Sequence, residues 1–518
     1  MVVSLKPLFI FLIFFTIIFT TSCRKDFEYS PSAGNLSFSK DTVYLDTVFA
    51  NIGSSTYKLK VYNNSKNDIL IPQISLRNGN ESFYRLNVDG VAGKSFESIP
   101  LYAQDSLFIF IETTIDITDN STEIIYTDAI LFDQAPHQQS VELITLAKDA
   151  IFIYPDYKTG SNSNQLTLYT NQDGSNVIVD GFELNVDDLN FTNTKPYVIY
   201  GYAIVPESKE LQIDAGARVY FHNNSGLVVS ENARLTVNGK LSEDKDNLEG
   251  EVIFEGDRLE PNFETMPGQW GAVWISQGST NNLMDYLTIK NAQIGLFVEG
   301  NSNQNIPTLT IRNSQIFNNT QHNIWAKHAN LLAENLVLGN SGSTSLRIEH
   351  GGTYSFTHST IANYWNKGFR SQPAITITNG SLDDTGIEHN LEQLSFRNSI
   401  IDGNSSYELE FNPSSNQLFN FNFDHCFIKY FQDQIPNENQ ELYIFSNTEY
   451  YNTIYTDVKL DYFSASNNDY RIGLESKLIN LGEPNVANEI PFDLLGTSRI
   501  AGADLGAYQA KEKETVNK

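Results

Sequence analysis

The chain has 518 residues and carries 62 acidic against 34 basic side chains, a net charge of −28 at pH 7. That balance repels a phosphate backbone and argues against nucleic acid as a partner. A hydrophobic content of 40%, with 12% aromatic residues, supports a packed core and excludes a wholly disordered chain, while two cysteines cannot supply a disulfide framework.

The N-terminus reads as an address. A short segment with one lysine precedes an apolar run from Leu8 to Phe19, followed by Thr20, Thr21, Ser22 and Cys23. Twelve helical residues span roughly 18 Å of a hydrocarbon core about 30 Å thick, so the run is too short to cross a bilayer and fits a secretory signal peptide over residues 1–22. The small residues before Cys23 resemble a bacterial lipoprotein signal, which implies lipidation of Cys23; two or three acyl chains anchor a protein stably where one does not. The stretch Arg24, Lys25, Asp26, Phe27, Glu28 resembles the surface-export tags of Bacteroidetes lipoproteins. This implies a lipidated tether over 23–40 and an outer-membrane location facing the cell surface, with the periplasmic face as the alternative. Cys426 is then the only thiol and reads as a small buried hydrophobe.

From residue 41 to 150, short alternating runs such as Tyr57–Tyr62 and Ser106–Ile111 are separated by turn signals, Asn78-Gly79 and Asp89-Gly90 among them. Strands at about ten-residue spacing predict an antiparallel β-sandwich, and the order resembles immunoglobulin-like modules between an anchor and a larger surface domain. Residues 151–176, rich in Asn, Ser, Gly and Thr, read as a linker.

Beyond residue 177, β-runs follow one another with no helical pattern between them, which excludes βαβ units. A hexad recurs at Ile289–Ile294, Ile311–Ile316, Ala333–Leu338, Phe356–Ile361, Phe396–Ile401 and Phe423–Ile428. Its markers Asn291, Asn313, Asn335, His358, Asn398 and His425 are separated by 22, 22, 23, 40 and 27 residues (313 − 291, 335 − 313, 358 − 335, 398 − 358, 425 − 398). A fixed period with occasional excess marks a solenoid with inserted loops. Ile324, Leu346 and Leu409 each fall eleven residues after a marker, so the following strand is phased too. The fold class expected is all-β: a right-handed parallel β-helix over 177–510 preceded by the small immunoglobulin-like sandwich, with 511–518 a polar tail. Coils stacked about 4.8 Å apart let corner Asn or His residues form a structural ladder, each bonding the backbone and the residue above. Alternation places Lys290, Arg312 and Glu334 outward in one column, a solvated ion-pair row.

The segments Gly216–Phe221, Pro267–Gly271 and the closing Asp493–Gly496, Arg499 and Asp504–Tyr508 resemble pectin-lyase-like β-helix repeat proteins found as Bacteroidetes lipoproteins. The closing pattern is expected to seal the last coil, with its Asp and Arg structural. The resemblance implies lyases that use an Arg or Lys base with calcium, or hydrolases that use grouped aspartates; neither set is recognisable, no catalytic residue is identified, and no metal ligands or cofactor are indicated. Hydrolysis of a glycoside needs two carboxyls about 5–9.5 Å apart, and the adjacent pairs Asp187-Asp188 and Asp383-Asp384 point to opposite faces if they lie in strands.

The coil between His358 and Asn398 carries two insertions. The first holds Tyr364, Trp365, Lys367, Phe369 and Arg370; the second holds Asp383, Asp384, Glu388 and His389. Loops on a rigid scaffold commonly carry binding groups, so Tyr364, Trp365, Lys367, Arg370, Asp383 and Asp384 are the candidate substrate-binding residues. The alternative is a loop that packs its aromatics against the solenoid wall. The expected function is a lipid-anchored surface protein that binds a polysaccharide or another envelope protein without catalysis. A polysaccharide lyase or glycoside hydrolase is the enzymatic alternative, and a purely structural envelope component a third.

Overall fold

A computed structural model describes residues 29–117, 121–155, 164–170, 174–244, 247–301, 305–381, 386–431, 439–456 and 458–513. The chain divides into two compact units, residues 1–148 and 149–518. Cys23, the signal segment, Asp383 and Asp384 lie outside the described residues.

The first unit is a two-sheet sandwich. One sheet runs 30–31, 69–76, 123–132, 139–148 and 42–49, with 95–101 also against 69–76; the other runs 37–38, 57–62, 106–113, 84–88 and 91–93. Alternation decides which side chains enter the core: Leu107, Ile109 and Ile111 are buried while Phe108 and Phe110 between them stay exposed. Two features depart from expectation. Ser30–Pro31 and Ser37–Phe38 are sheet strands, so much of the anticipated tether belongs to the sandwich. Thr42–Phe49 pairs in parallel with Gln139–Lys148, so the first sheet is mixed while the second is antiparallel throughout.

The second unit is a parallel β-helix of three sheet faces. The first face stacks 197–199, 218–221, 252–256, 287–290, 315–317, 337–338, 360–363 and 400–403; the second stacks 202–205, 226–229, 270–275, 292–299, the start of 322–334, the start of 346–357, 375–378 and 409–412. The third stacks 190–191, 210–214, 234–238, 282–285, 309–312, the ends of 322–334 and 346–357, then 391–397, 419–424 and 451–455. Inward aliphatic and aromatic side chains form one continuous core, in which Phe356, Phe396 and Phe423 stack coil on coil with centroids 4.6 and 5.0 Å apart. The described parts of the anticipated linker belong to this body: Ile151–Ile153 pairs in parallel with Tyr197–Ile199, and Asn164–Thr170 pairs antiparallel with Asn176–Glu183.

The ladder register reproduces the later steps read from the sequence. Arg312 pairs with Glu334, Glu334 with Thr357, Thr357 with Arg397 and Arg397 with Asp424, steps of 22, 23, 40 and 27 residues. Ile324, Leu346, Ile375 and Leu409 are likewise successive partners. Asn313, Asn335, His358, Asn398 and His425 all adopt positive φ between 46° and 50°, a left-handed corner that Asn and His tolerate better than branched residues. Asn335 Nδ2 donates to Asn313 Oδ1 at 2.8 Å, joining two coils.

Asn291 does not belong to that corner. Thr288–Lys290 pairs with Gln315–Phe317, so Asn291 stacks beneath Asn318, whose Nδ2 donates to Asn291 Oδ1 at 2.5 Å. The first interval of 22 therefore matches two different corners of adjacent coils, because both corners demand the same left-handed residue. Lys290 accordingly leaves the expected column: it pairs with Glu255 at 2.9 Å on the first face, whereas Arg312 and Glu334 pair at 2.9 Å on the third.

The closing segment does not seal the last coil. Gln440–Tyr443 and Tyr451–Tyr455 do so, with Tyr443 and Tyr451 packed on Phe411 and Phe423 at 5.3 and 5.7 Å and their hydroxyls bonded to backbone. The segment from 462 to 511 instead folds back along the wall, where corner amides present donors and acceptors to it. Asn335 Nδ2 donates to Phe492 O, Asn398 Nδ2 to Glu483 O, and Tyr508 Oη to Gln315 Oε1, at 3.0–3.1 Å. Asp493 and Asp504 accept backbone N–H groups and buried Arg499 donates to the Phe492 and Gly506 carbonyls, a structural role for all three.

Candidate functional site

On the second face, the residue after each phased aliphatic points outward, and successive coils align these residues in one column: Trp274, Phe297, Trp325, Arg347, Thr376 and Glu410. The column changes chemistry along its length. Its aromatic half is roofed by the paired strands 164–170 and 176–183, with Leu168 packed in the same cluster and the Tyr169 ring edge-on to Trp325 at 5.4 Å. Trp274 and Trp325 each donate Nε1–H at 2.7 Å to a carboxylate on the strand above or beside, Glu299 and Glu349.

Beyond the roof the column opens into a polar pocket of about 310 Å³ lined by His322, Ser343, Thr344, Arg347, Gln372, Thr376, Glu410 and Asn412. That volume is at the small end of the roughly 300–1,000 Å³ range of ligand sites. With coils about 4.8 Å apart, Arg347 and Glu410 lie two coils, roughly 10 Å, from each other along the stack. The guanidinium of Arg347 sits over the Trp325 ring at 4.6 Å, donates Nη2–H to Glu349 at 2.6 Å and faces His322 Nε2 at 3.4 Å. Its Nε is buried without a partner. His322 is held neutral, its pKa pushed down to about 3 by burial and then by the Arg347 charge; a 2.9 Å contact from Nδ1 to Thr344 O places the ring proton there and leaves Nε2 as acceptor. Burial raises the pKa of Glu410, against hydrogen bonds from Thr376 and Asn412 that favour its charged form. The pocket thus offers a fixed cation, a neutral imidazole, a partly desolvated carboxyl, two amides and three hydroxyls, a set that can exchange hydrogen bonds with a polyhydroxylated ligand.

The residues singled out from the sequence do not line this pocket. Arg370 is 2% exposed and forms a bidentate pair with Glu408, itself 0% exposed, at 2.8 and 2.9 Å. It also donates to the carbonyls of Asn363 and Gln372 and to Asn404 Oδ1, while Glu408 accepts Ala374 N–H and Ser405 N–H. Both Nη atoms are taken up inside the protein and Nε is buried without a partner, so the Arg370 side chain is a packed element of the wall, which corrects the expectation for it. Trp365 is buried, its ring against the Gly342 turn that leads into Ser343 and Thr344. Tyr364 is half-buried and donates to Asp402 at 2.6 Å, on the side where the folded-back segment packs. Lys367 and Phe369 are exposed at the loop tip. In the second insertion, His389 stacks on His328 at 4.1 Å and Glu388 accepts from Asn416. The alternative of a loop packing its own aromatics describes Tyr364, Trp365 and Arg370; of this insertion only Gln372 reaches the pocket lining.

Arg347, Thr376 and Glu410 were missed although their signal was present. Leu346, Ile375 and Leu409 phase the strand, and the polar residue following each must face outward in register. Among the described residues no group of three or more His, Cys, Asp or Glu is arranged to hold a metal. Cys426 is fully buried and its thiol pKa is pushed up to about 12 by desolvation, so it is a core hydrophobe.

No protein-family model and no curated protein matches the chain. Among solved structures, the catalytic domain of a GH87 α-1,3-glucanase in complex with tetrasaccharides aligns over 71% of this chain and 80% of its own, at 10% identity and a TM-score of 0.20. A family 123 glycoside hydrolase from Clostridium perfringens aligns over 23% of this chain at 10% identity and a TM-score of 0.16, and the E. coli chaperone DraB over 24% at 13% and 0.17. The chain spans only 30% of that hydrolase and 58% of that chaperone. The class to which the second unit belongs, a parallel β-helix, rests on its strand register.

Proposed function

We propose that this chain is a lipid-anchored surface protein whose β-helix binds a polysaccharide in the His322–Asn412 pocket without cleaving it. The observation that carries the reading is the composition of that lining: planar hydrogen-bonding groups and hydroxyls from four successive coils, with Glu410 its one carboxyl. Glycoside hydrolysis by the common two-carboxylate route needs a second acid about 5–9.5 Å away, facing the same space. Glu349 is committed to Trp325 and Arg347. Support for anchoring comes from the apolar run Leu8–Phe19 ending before Cys23.

Affinity electrophoresis of residues 24–518 in gels containing plant, algal or host polysaccharides tests binding, while the same mixtures are followed for unsaturated products and reducing ends. Retardation by at least one polysaccharide, lost in Arg347→Ala and in Glu410→Ala, with no product formed, is the expected result. Product formation overturns the non-catalytic reading in favour of a lyase or hydrolase, and absence of retardation throughout overturns glycan binding. Anchoring is checked separately by radiolabelled palmitate incorporation into the full chain, which Cys23→Ala should abolish.

A further inference from the structure

The tip of the first insertion raises a question that the pocket alone does not answer. Phe369 is 91% exposed, and exposure of a whole phenyl ring forgoes the free energy that its burial would provide. Single exposed apolar residues are ordinary on mobile surfaces. This loop, however, is fastened immediately beside the ring: Arg370, the next residue, makes five hydrogen bonds to groups on the scaffold and on its own loop. Four residues earlier the same loop buries Trp365. The loop therefore can sequester an aromatic ring and does so with one, while it presents the other to solvent on a clamped stem.

The placement relative to the pocket follows from chain geometry. Gln372 lies three residues after Phe369 and forms part of the pocket lining. Three residues span at most about 11 Å, so the Phe369 backbone lies no farther than that from Gln372 at the pocket edge. An aromatic face loses little conformational freedom on binding and offers a flat apolar surface, which complements the C–H face of a pyranose ring.

We propose that Phe369 is a stacking residue that extends the pocket to a second, outer sugar-binding position and so selects oligosaccharides over monosaccharides. This rests on the glycan-binding reading of the same pocket. The buried Arg370–Glu408 pair acts as a positioning element that holds the ring in place, and the outer position takes a sugar with an exposed apolar face.

The test uses isothermal titration of residues 24–518 with glucose and with β-1,4-, β-1,3- and α-1,4-linked glucose tetrasaccharides. Phe369→Ala should weaken the best-bound tetrasaccharide about tenfold, leave any glucose binding and the melting temperature unchanged, and be rescued to within about twofold by Phe369→Trp. Because the side chain is exposed, loss of folding does not complicate the comparison. Tetrasaccharide affinity in Phe369→Ala within twofold of the unmodified protein, with Arg347→Ala still abolishing binding, would overturn the stacking position and leave the pocket reading intact. Absence of binding to every one of these sugars by the unmodified protein would overturn the outer sugar position, and absence of retardation by every polysaccharide as well would overturn both.

Discussion

The coil from Asn313 to Asn335 and the coil from His358 to Asn398 serve the same wall by different physics. In the first, 22 residues make three strands and tight corners, and the polar side chains at the surface form an exposed pair, Arg312 with Glu334, whose side chains are 44% and 39% accessible. In the second, 40 residues occupy the same rise, and the excess is anchored by Arg370 and Glu408 at 2% and 0% accessibility. A longer loop loses little extra closure entropy, but a loop that must hold one shape needs internal partners. The difference teaches that the inserted loop is tied to the solenoid by a buried polar pair shared with the next coil, and that Arg370 serves that purpose before any ligand.

The largest effect should come from breaking the buried pair. Arg370→Ala leaves Glu408 as an uncompensated buried carboxylate and should lower stability by about 3–5 kcal/mol, read by chemical denaturation, while Arg370→Met with Glu408→Leu should recover most of the loss. Gly403→Ala attacks the same clamp, because an added Cβ would meet the Glu408 carboxylate. A loss below about 1 kcal/mol in Arg370→Ala would show that the inserted coil does not depend on the pair.

Acid should act on the regular coil through His322. Its pKa is lowered to about 3 in the folded chain against about 6.5 for a free imidazole, so the unfolded chain takes up the proton first. Its contribution is fully present above pH 6.5 and is lost as pH falls from 6.5 toward 3, on the order of a few kcal/mol over the whole window. Melting of His322→Gln compared with the unmodified protein between pH 7 and 4 should show a shallower decline in the variant; parallel curves would mean that the imidazole does not stay neutral.

Corner substitutions should be milder. Asn335→Ala must keep a φ of 50° without the side-chain bonds to Asn313 Oδ1 and Phe492 O, costing about 1–3 kcal/mol. Asn335→Gly relieves the backbone part and should cost less, so the difference between the two melting temperatures separates conformation from hydrogen bonding. The smallest effect is expected for Arg312→Ala, about 0.2–1 kcal/mol and reduced by salt. A loss comparable with that of Arg370→Ala would erase the distinction between the two coils.

Much of the fold was legible because a coil must repeat its turn chemistry to stack. The left-handed corner admits Asn, His or Gly at low cost, so the markers from Asn313 to His425 stand out in the sequence. Asn291 shows the limit of this signal: two corners of one coil ask for the same residue, and a one-dimensional period cannot say which corner is meant. The linker was misread for a related reason. Polar, Ser- and Asn-rich composition fits a loop, yet Asn164–Thr170 and Asn176–Glu183 pair with each other and bury only the alternate residues that roof Phe297 and Trp325.

The site was partly legible. The 40-residue coil pointed to a loop that contributes Gln372 to the pocket lining, but tertiary packing takes up Tyr364, Trp365 and Arg370 and leaves Lys367 and Phe369 exposed. Arg370 has a partner in Glu408, 38 residues away, and only the stacking of 360–363 on 400–403 and of 375–378 on 409–412 brings the two together. By itself, the sequence determined a solenoid of stacked short strands, its step lengths, its corner residues and the coil that bulges, since all of these follow from local backbone preference and a period. Only the tertiary structure decided which polar residues are consumed inside the wall and which, like Arg347, Thr376 and Glu410, meet across three coils to line a pocket, because burial and partnership depend on neighbours far apart in the chain.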